Sequence, residues 1–191
     1  MSTRPQRQYT PTDYFLIEAG SPIRHEFFNG EIFAMPGGTV AHNQVCANVL
    51  ALLSVGFGTA PCRALGSDMR LATPRGLLTY PEVMVICGRV ELFEGREDTV
   101  TNPVVLVEVL SDATRNYDRG DKFVLYQAIP TLRDYLLIEP REVRIEHYRR
   151  AANDSWPVLT YGTPGQLIEL TSIPARLPVA EIYRKVLDAL Q

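Results

Sequence analysis

Lysine is nearly missing from this chain of 191 residues. Of nineteen basic residues seventeen are arginine, and only Lys122 and Lys185 are lysines. Genomic composition is the plain reason for such a bias. It also makes a lysine in a suggestive position less accidental than usual. Net charge is −3, so no overall basic field draws in nucleic acid, and such a partner would need a local patch. Cysteine is equally scarce, at positions 46, 62 and 87 with no CxxC pair. An odd, unclustered set in apolar surroundings reads as buried free thiols in a reducing compartment, and it argues against a disulfide frame or a zinc site. No run approaches the roughly 18 apolar residues of a membrane span, and the polar start from Met1 to Pro5 lacks the apolar segment of a signal peptide. The expectation is a cytoplasmic protein with no membrane partner. Repeats, low-complexity tracts and linkers are also lacking. A loose arm over 1–9 followed by one domain over 10–191 is therefore expected.

What the chain does have is the length and the 46% hydrophobic content for a real core. Its centre is the run from Pro103 to Leu110, short, apolar and rich in valine, as in a strand buried on both faces. One residue does not belong. Strand alternation puts Val104, Leu106, Glu108 and Leu110 on one face and Val105, Val107 and Val109 on the other. Burying the carboxylate of Glu108 costs several kcal/mol unless a proton, a cation or a metal compensates. An ion pair with an arginine is the bland solution, and a divalent metal is the functional one.

Around this run the order is legible. Thr10-Pro11-Thr12-Asp13 opens a short helix with Thr10 as N-cap. Asn29-Gly30 favours a type I′ turn between strands ending in Phe28 and starting at Glu31. A helix is expected from Thr39 to Val55, with His42, Val45, Cys46, Val49, Leu52 and Leu53 on one face. Strands follow from Cys62 to Ala72, carrying Asp68, and from Tyr80 to Cys87, carrying Glu82, with Pro74-Arg75-Gly76 as the hairpin turn between them. Residues 89–102 read as loop. A second helix runs from Asn116 or Asp118 to Ala128, with Asp118, Lys122 and Tyr126 on one face. Strands from Asp134 to Ile138, Val143 to Tyr148, Ser155 to Tyr161 and Gln166 to Leu170 come next, and an amphipathic helix from Pro178 to Leu190 closes the chain. This order predicts an α/β (α+β) fold, a mixed central sheet flanked by helices with extra antiparallel strands at the C-terminal end.

If the strands carrying Glu82 and Glu108 are antiparallel neighbours, the two carboxylates approach each other and repel. A hard cation such as Mg²⁺ removes that repulsion, because it takes one or two carboxylates and fills its shell with water and substrate phosphate. A lysine ammonium beside it, here Lys122, can orient the attacking water or neutralise developing charge. The plain alternatives are a strand-edge charge for Glu82, a surface pair with Asp118 for Lys122, and a turn residue for Asp68. A lone histidine such as His42 on an apolar helical face is more often a hydrogen-bonded core residue than a ligand.

Several pieces resemble a known family. They are Arg24-His25-Glu26 through Asn29-Gly30-Glu31-Ile32, then Met35, His42, Ser67-Asp68, Tyr80-Pro81-Glu82-Val83, Val107-Glu108-Val109-Leu110-Ser111, Asp118-Arg119-Gly120-Asp121-Lys122 and Tyr135-Leu136-Leu137-Ile138. Their order and spacing are similar to the Uma-type family of restriction-endonuclease-like proteins, within the PD-(D/E)XK nuclease superfamily. The likeness runs from about residue 11 to residue 185. It implies a restriction-endonuclease-like core and hydrolysis of phosphodiester bonds in DNA with Mg²⁺ or Mn²⁺. It implies Glu82, Glu108 and Asp68 as metal ligands, with Lys122 and Glu26 completing the catalytic set. Two departures stand out. Glu82 occupies a place usually held by aspartate, and the lysine two residues after the acid falls at Leu110, so that Lys122 on the helix substitutes. A homodimer is expected by analogy, with Ile182, Val186 and Leu187 as candidate interface residues. The rival reading is a catalytically impaired relative serving as a nucleic-acid-binding or oligomeric scaffold module.

Overall fold

The computed structural model describes residues 8–35 and 37–186. In chain order its elements are α1 (Pro11–Gly20), β1 (His25–Phe28), β2 (Glu31–Ala34), α2 (Val40–Gly56), β3 (Cys62–Gly66), β4 (Arg70–Ala72), β5 (Leu78–Thr79), β6 (Val83–Cys87), β7 (Thr99–Val100), β8 (Val105–Val109), α3 (Arg115–Arg119), α4 (Asp121–Gln127), β9 (Asp134–Glu139), β10 (Arg144–Arg149), β11 (Val158–Tyr161), β12 (Leu167–Leu170), β13 (Ala175–Pro178) and α5 (Val179–Ile182). The fold is the expected mixed α+β one. A six-stranded sheet in the order β11-β10-β9-β8-β6-β3 forms its middle, with β8 and β9 parallel and the other pairs antiparallel. The parallel step is the one spanned by α3 and α4, as a crossover requires.

Local chemistry explains the elements that were foreseen. Thr10 caps α1 through a full capping box with Asp13. Asn29 and Gly30 have φ of 49° and 80°, the two positive angles that a type I′ turn demands. β8 is buried along its whole length. Val105, Val107 and Val109 face α2, β12, β13 and α5, while Leu106 and Leu110 face α4 and the aromatic cluster around Tyr126 and Tyr135. Glu108 lies between Leu106 and Leu110 on that second face.

Several expectations are corrected. The single strand from Cys62 to Ala72 is two strands in two sheets. Ser67 and Asp68 turn the chain out of the large sheet, and β4 joins a five-stranded sheet in the order β2-β1-β5-β4-β7. The Pro74-Arg75-Gly76 turn therefore links β4 to β5, with Gly76 at φ 83°. The helix expected over 116–128 is broken at Gly120 into α3 and α4. The loop over 89–102 contributes β7. β13 was not foreseen; it pairs with β12. The closing helix is a short α5, and residues 187–190 of the expected span lie outside the described residues, as do 1–7 of the arm.

Cys62 and Cys87 are a disulfide rather than two free thiols, because the antiparallel register of β3 and β6 makes them direct partners with Cα atoms 4.0 Å apart. Cys46 alone is free. With two of the three cysteines paired, cysteine usage no longer points to a reducing compartment. Ile182 and Val186, expected at an interface, are fully buried in the core, and Leu187 lies outside the described residues. No helix among the described residues is long and apolar enough to cross a membrane.

Candidate active site

Six elements, α2, β1, β6, β8, α3 and α4, bring ionisable side chains to one end of the large sheet. The register pairs Val83 with Val107 and Met84 with Leu106, so one step beyond β6 Glu82 stands across from Glu108. Cross-strand neighbours share a face. Each of the two carboxyl groups lies within electrostatic reach of the other. From the helical side, Lys122 on α4 reaches down with its Nζ 2.9 Å from Glu108 Oε1. From the second sheet, Glu26 on β1 meets the same ammonium at 2.9 Å and accepts a hydrogen bond from Thr79 Oγ1 on β5. Asp118, one turn before Lys122, stands 3.5 Å from it. Tyr126, one turn after, donates to Glu108 Oε1 at 2.6 Å. His42 Nε2 lies 3.3 Å from Glu82 Oε1.

Glu26, Glu108, Asp118 and Lys122 are all buried. Charge in such a place must be matched, and one ammonium serves the three carboxyl groups of Glu26, Glu108 and Asp118. The consequences are visible in the protonation behaviour. Burial drives Glu108 well above the usual carboxylate range, and Glu82 beside it adds to the rise that Lys122 opposes. Glu82 is raised for the same first reason, burial. Burial would lower Lys122, but Glu108, Tyr126, Glu26 and Asp118 outweigh it and hold the ammonium protonated well above the ordinary lysine range. His42 is lowered by burial. Asp118 is pushed up to about 6, again by burial against the pull of Lys122.

The shift at Asp118 carries a test. A carboxyl whose folded pKa is raised favours the folded state at low pH and loses that contribution as pH climbs through the raised value. From 3.8 to about 6 this is worth roughly 3 kcal/mol. Glu82 and Glu108 shift the same way. Urea denaturation of Asp118→Asn at a series of pH values should show a shallower loss of stability between about pH 4 and 6 than wild type. Parallel curves for the two proteins would contradict the assignment.

The acids open into a cavity of about 650 Å³. Glu26, His42, Glu82, Glu108, Asp118 and Lys122 line it together with Tyr117, Phe28, Phe33 and Met35. Two buried oxygens in it, Glu82 Oε2 and Asp118 Oδ1, have no hydrogen-bond partner. Asp118 Oδ1 faces the Lys122 ammonium at 3.5 Å, so Glu82 Oε2 is the acceptor that a further cation would satisfy. No cluster of three or more His, Cys, Asp or Glu groups suited to a metal occurs among the described residues. A Mg²⁺ site needs fewer, since one or two carboxylates suffice. The pair Glu82 and Glu108 fits that requirement.

Of the residues singled out in the sequence, Glu26, Glu82, Glu108 and Lys122 are brought together. Asp68 is not. It is 91% exposed in the turn after β3 and pairs with Arg24. The turn that ends β3 is the reason, because a continuing strand would have carried it along the sheet. The plain alternative of a surface pair between Asp118 and Lys122 fails, because both are buried. The i, i+4 spacing of Asp118 from the lysine was the available signal, and the depth of α4 was not. Thr79 and Phe33 carried no signal at all.

Comparison with known proteins gives the family and the fold. Residues 11–180 match the model of the family described as "Uma2: Putative restriction endonuclease". The uncharacterized protein slr1290 of Synechocystis is 34% identical over 183 residues, covering 94% of each chain. The uncharacterized protein sll1609 of the same organism is 34% identical over 148 residues, covering 77% of this chain and 84% of its own. A crystal structure of a putative nuclease belonging to DUF820 from Anabaena variabilis superimposes with a TM-score of 0.71 at 18% identity, over 90% of this chain and 96% of that one. At that identity the likeness is one of fold.

Proposed function

Since the chain belongs to the Uma2 family of restriction-endonuclease-like proteins, we propose that it is a metal-dependent endonuclease that hydrolyses phosphodiester bonds in DNA, with its chemistry in the cavity of Glu82, Glu108 and Lys122. The observation that carries this reading is the excess of buried carboxyl groups over ammonium, with Glu82 Oε2 left without a hydrogen-bond partner. Glu82 and Glu108 would hold Mg²⁺ or Mn²⁺. Bound there, such an ion lowers the pKa of a water and neutralises charge on the phosphoryl group.

The chain's own residues do the rest. Tyr126 fixes the rotamer of Glu108 by its hydrogen bond, so the carboxylate is aimed before any ligand arrives. Glu26, itself held by Thr79, and Asp118 keep the Lys122 ammonium over Glu108. From that position Lys122 orients a water toward phosphorus and faces the negative charge that grows on the phosphate oxygens as the water attacks and the leaving oxygen departs.

Supercoiled plasmid incubated with the purified protein and Mg²⁺ or Mn²⁺ should be nicked, and chelation should stop it. Asp68→Asn should nick at the wild-type rate, since an exposed pair of this kind contributes little. A protein that nicks equally well in chelator would exclude the metal-dependent reading.

A further inference from the structure

Phe33 is an unusual residue to find uncovered. It lies on β2, at the edge of the five-stranded sheet, and is 48% exposed. Its direct cross-strand partner is Glu26, so its ring stands on the same face as the carboxylate that holds Lys122. Phe28 follows two residues after Glu26, and Phe28, Phe33 and Met35 all line the cavity. The acids and Lys122 are its more buried part, whereas Phe33, Arg115, Arg141 and Asp112 are among the exposed or partly exposed lining and mark the open side. Arg115 is paired there with Asp112 and Glu139, and Arg141 with Asp112.

Two features of this arrangement bear on the form of the substrate. A cavity of about 650 Å³ is the size that encloses one small ligand and not a double helix. A duplex is too wide to follow its phosphate into a cavity of this size, whereas a nucleotide free of its stack can enter. The second feature is the mixture at the mouth. An aromatic face beside guanidinium groups is the combination that holds unpaired nucleotides, the ring taking a base and the cations the backbone. We propose that the cavity takes single-stranded nucleic acid, with one unpaired base stacked on Phe33. This rests on the nuclease reading and specifies its substrate: single strands, or frayed and flapped ends, in preference to intact duplex.

The test is fluorescence anisotropy of a short labelled DNA oligonucleotide, single-stranded or annealed to its complement, with Ca²⁺ present. The single strand should bind at least about ten-fold more tightly than the duplex. Phe33→Ala should weaken single-strand binding by roughly five- to 150-fold, the range for loss of one stacked base, and leave duplex binding nearly unchanged. Phe33→Trp should retain the preference, and matching thermal unfolding of the three proteins guards against a folding defect. Equal binding of both forms, binding of neither, or an equal loss on both in Phe33→Ala would overturn the proposal. Plasmid nicking separates the two readings. Glu108-dependent nicking without a single-strand preference removes only this inference. A Phe33-dependent preference without metal-dependent cleavage removes the nuclease and keeps the single-strand site.

Discussion

Lys122→Met is expected to cost the fold about 3–5 kcal/mol, the penalty for leaving buried charge without its partner. Methionine conserves the length and volume of the side chain, so packing on α4 is little disturbed. What disappears is the ammonium 2.9 Å from Glu26 and Glu108 and 3.5 Å from Asp118. Proton uptake is the carboxyl groups' only remaining relief, and the loss should grow as pH rises and that uptake becomes costly. The sign at Lys122 itself is the converse. Its folded pKa is held above the unfolded value, so its contribution is full below the ordinary lysine range and fades only as pH rises through the raised value. Urea unfolding at pH 7 reads the effect directly. Mn²⁺ should restore more stability to Lys122→Met than it adds to wild type, because the ion would supply the missing positive charge. A variant within about 1 kcal/mol of wild type would mean that the acids do not depend on this cation. Nicking should be lost even where Mn²⁺ rescues the fold.

Glu108→Gln is expected to do the opposite to the fold. The amide has the shape of the neutral carboxyl and still accepts from Tyr126. Burial raises the pKa of Glu108, so its ionised form is a burden on the folded state that becomes heavier as pH climbs through the raised value. Removing it should leave stability within about 1 kcal/mol of wild type or increase it, most clearly at alkaline pH. Plasmid nicking should nevertheless fall by more than about 100-fold, since even groups that only support a metal's ligands cost 10- to 100-fold when lost. Calorimetry should show Mn²⁺ binding weakened or abolished. Nicking by Glu108→Gln at the wild-type rate would mean that the cleavage arises elsewhere. Stability gained and cleavage lost in one substitution is the mark of a residue kept at the expense of the fold.

How much of this was readable in advance varies from residue to residue. Glu108 stood out because alternation within a fully apolar run admits no surface for a carboxylate. Glu82 and Lys122 were identifiable through resemblance and order together. Asp68 shared those signals and is nonetheless elsewhere, because a two-residue turn at Ser67 and Asp68 sent the strand into another sheet. Glu26 is near Lys122 only because the second sheet packs against the first. The disulfide between Cys62 and Cys87 depended on strand register, which spacing in sequence does not fix.

Local chemistry alone determined where this chain caps, turns and alternates, and therefore that one acid would be trapped inside it. Those features rest on a few neighbouring residues and on short periodicities. Which groups would surround that acid, and that a bare phenylalanine would share its cavity, was decided by the meeting of two sheets and a helix. Such meetings depend on register and packing between segments far apart in the chain, and no run of neighbouring residues specifies them.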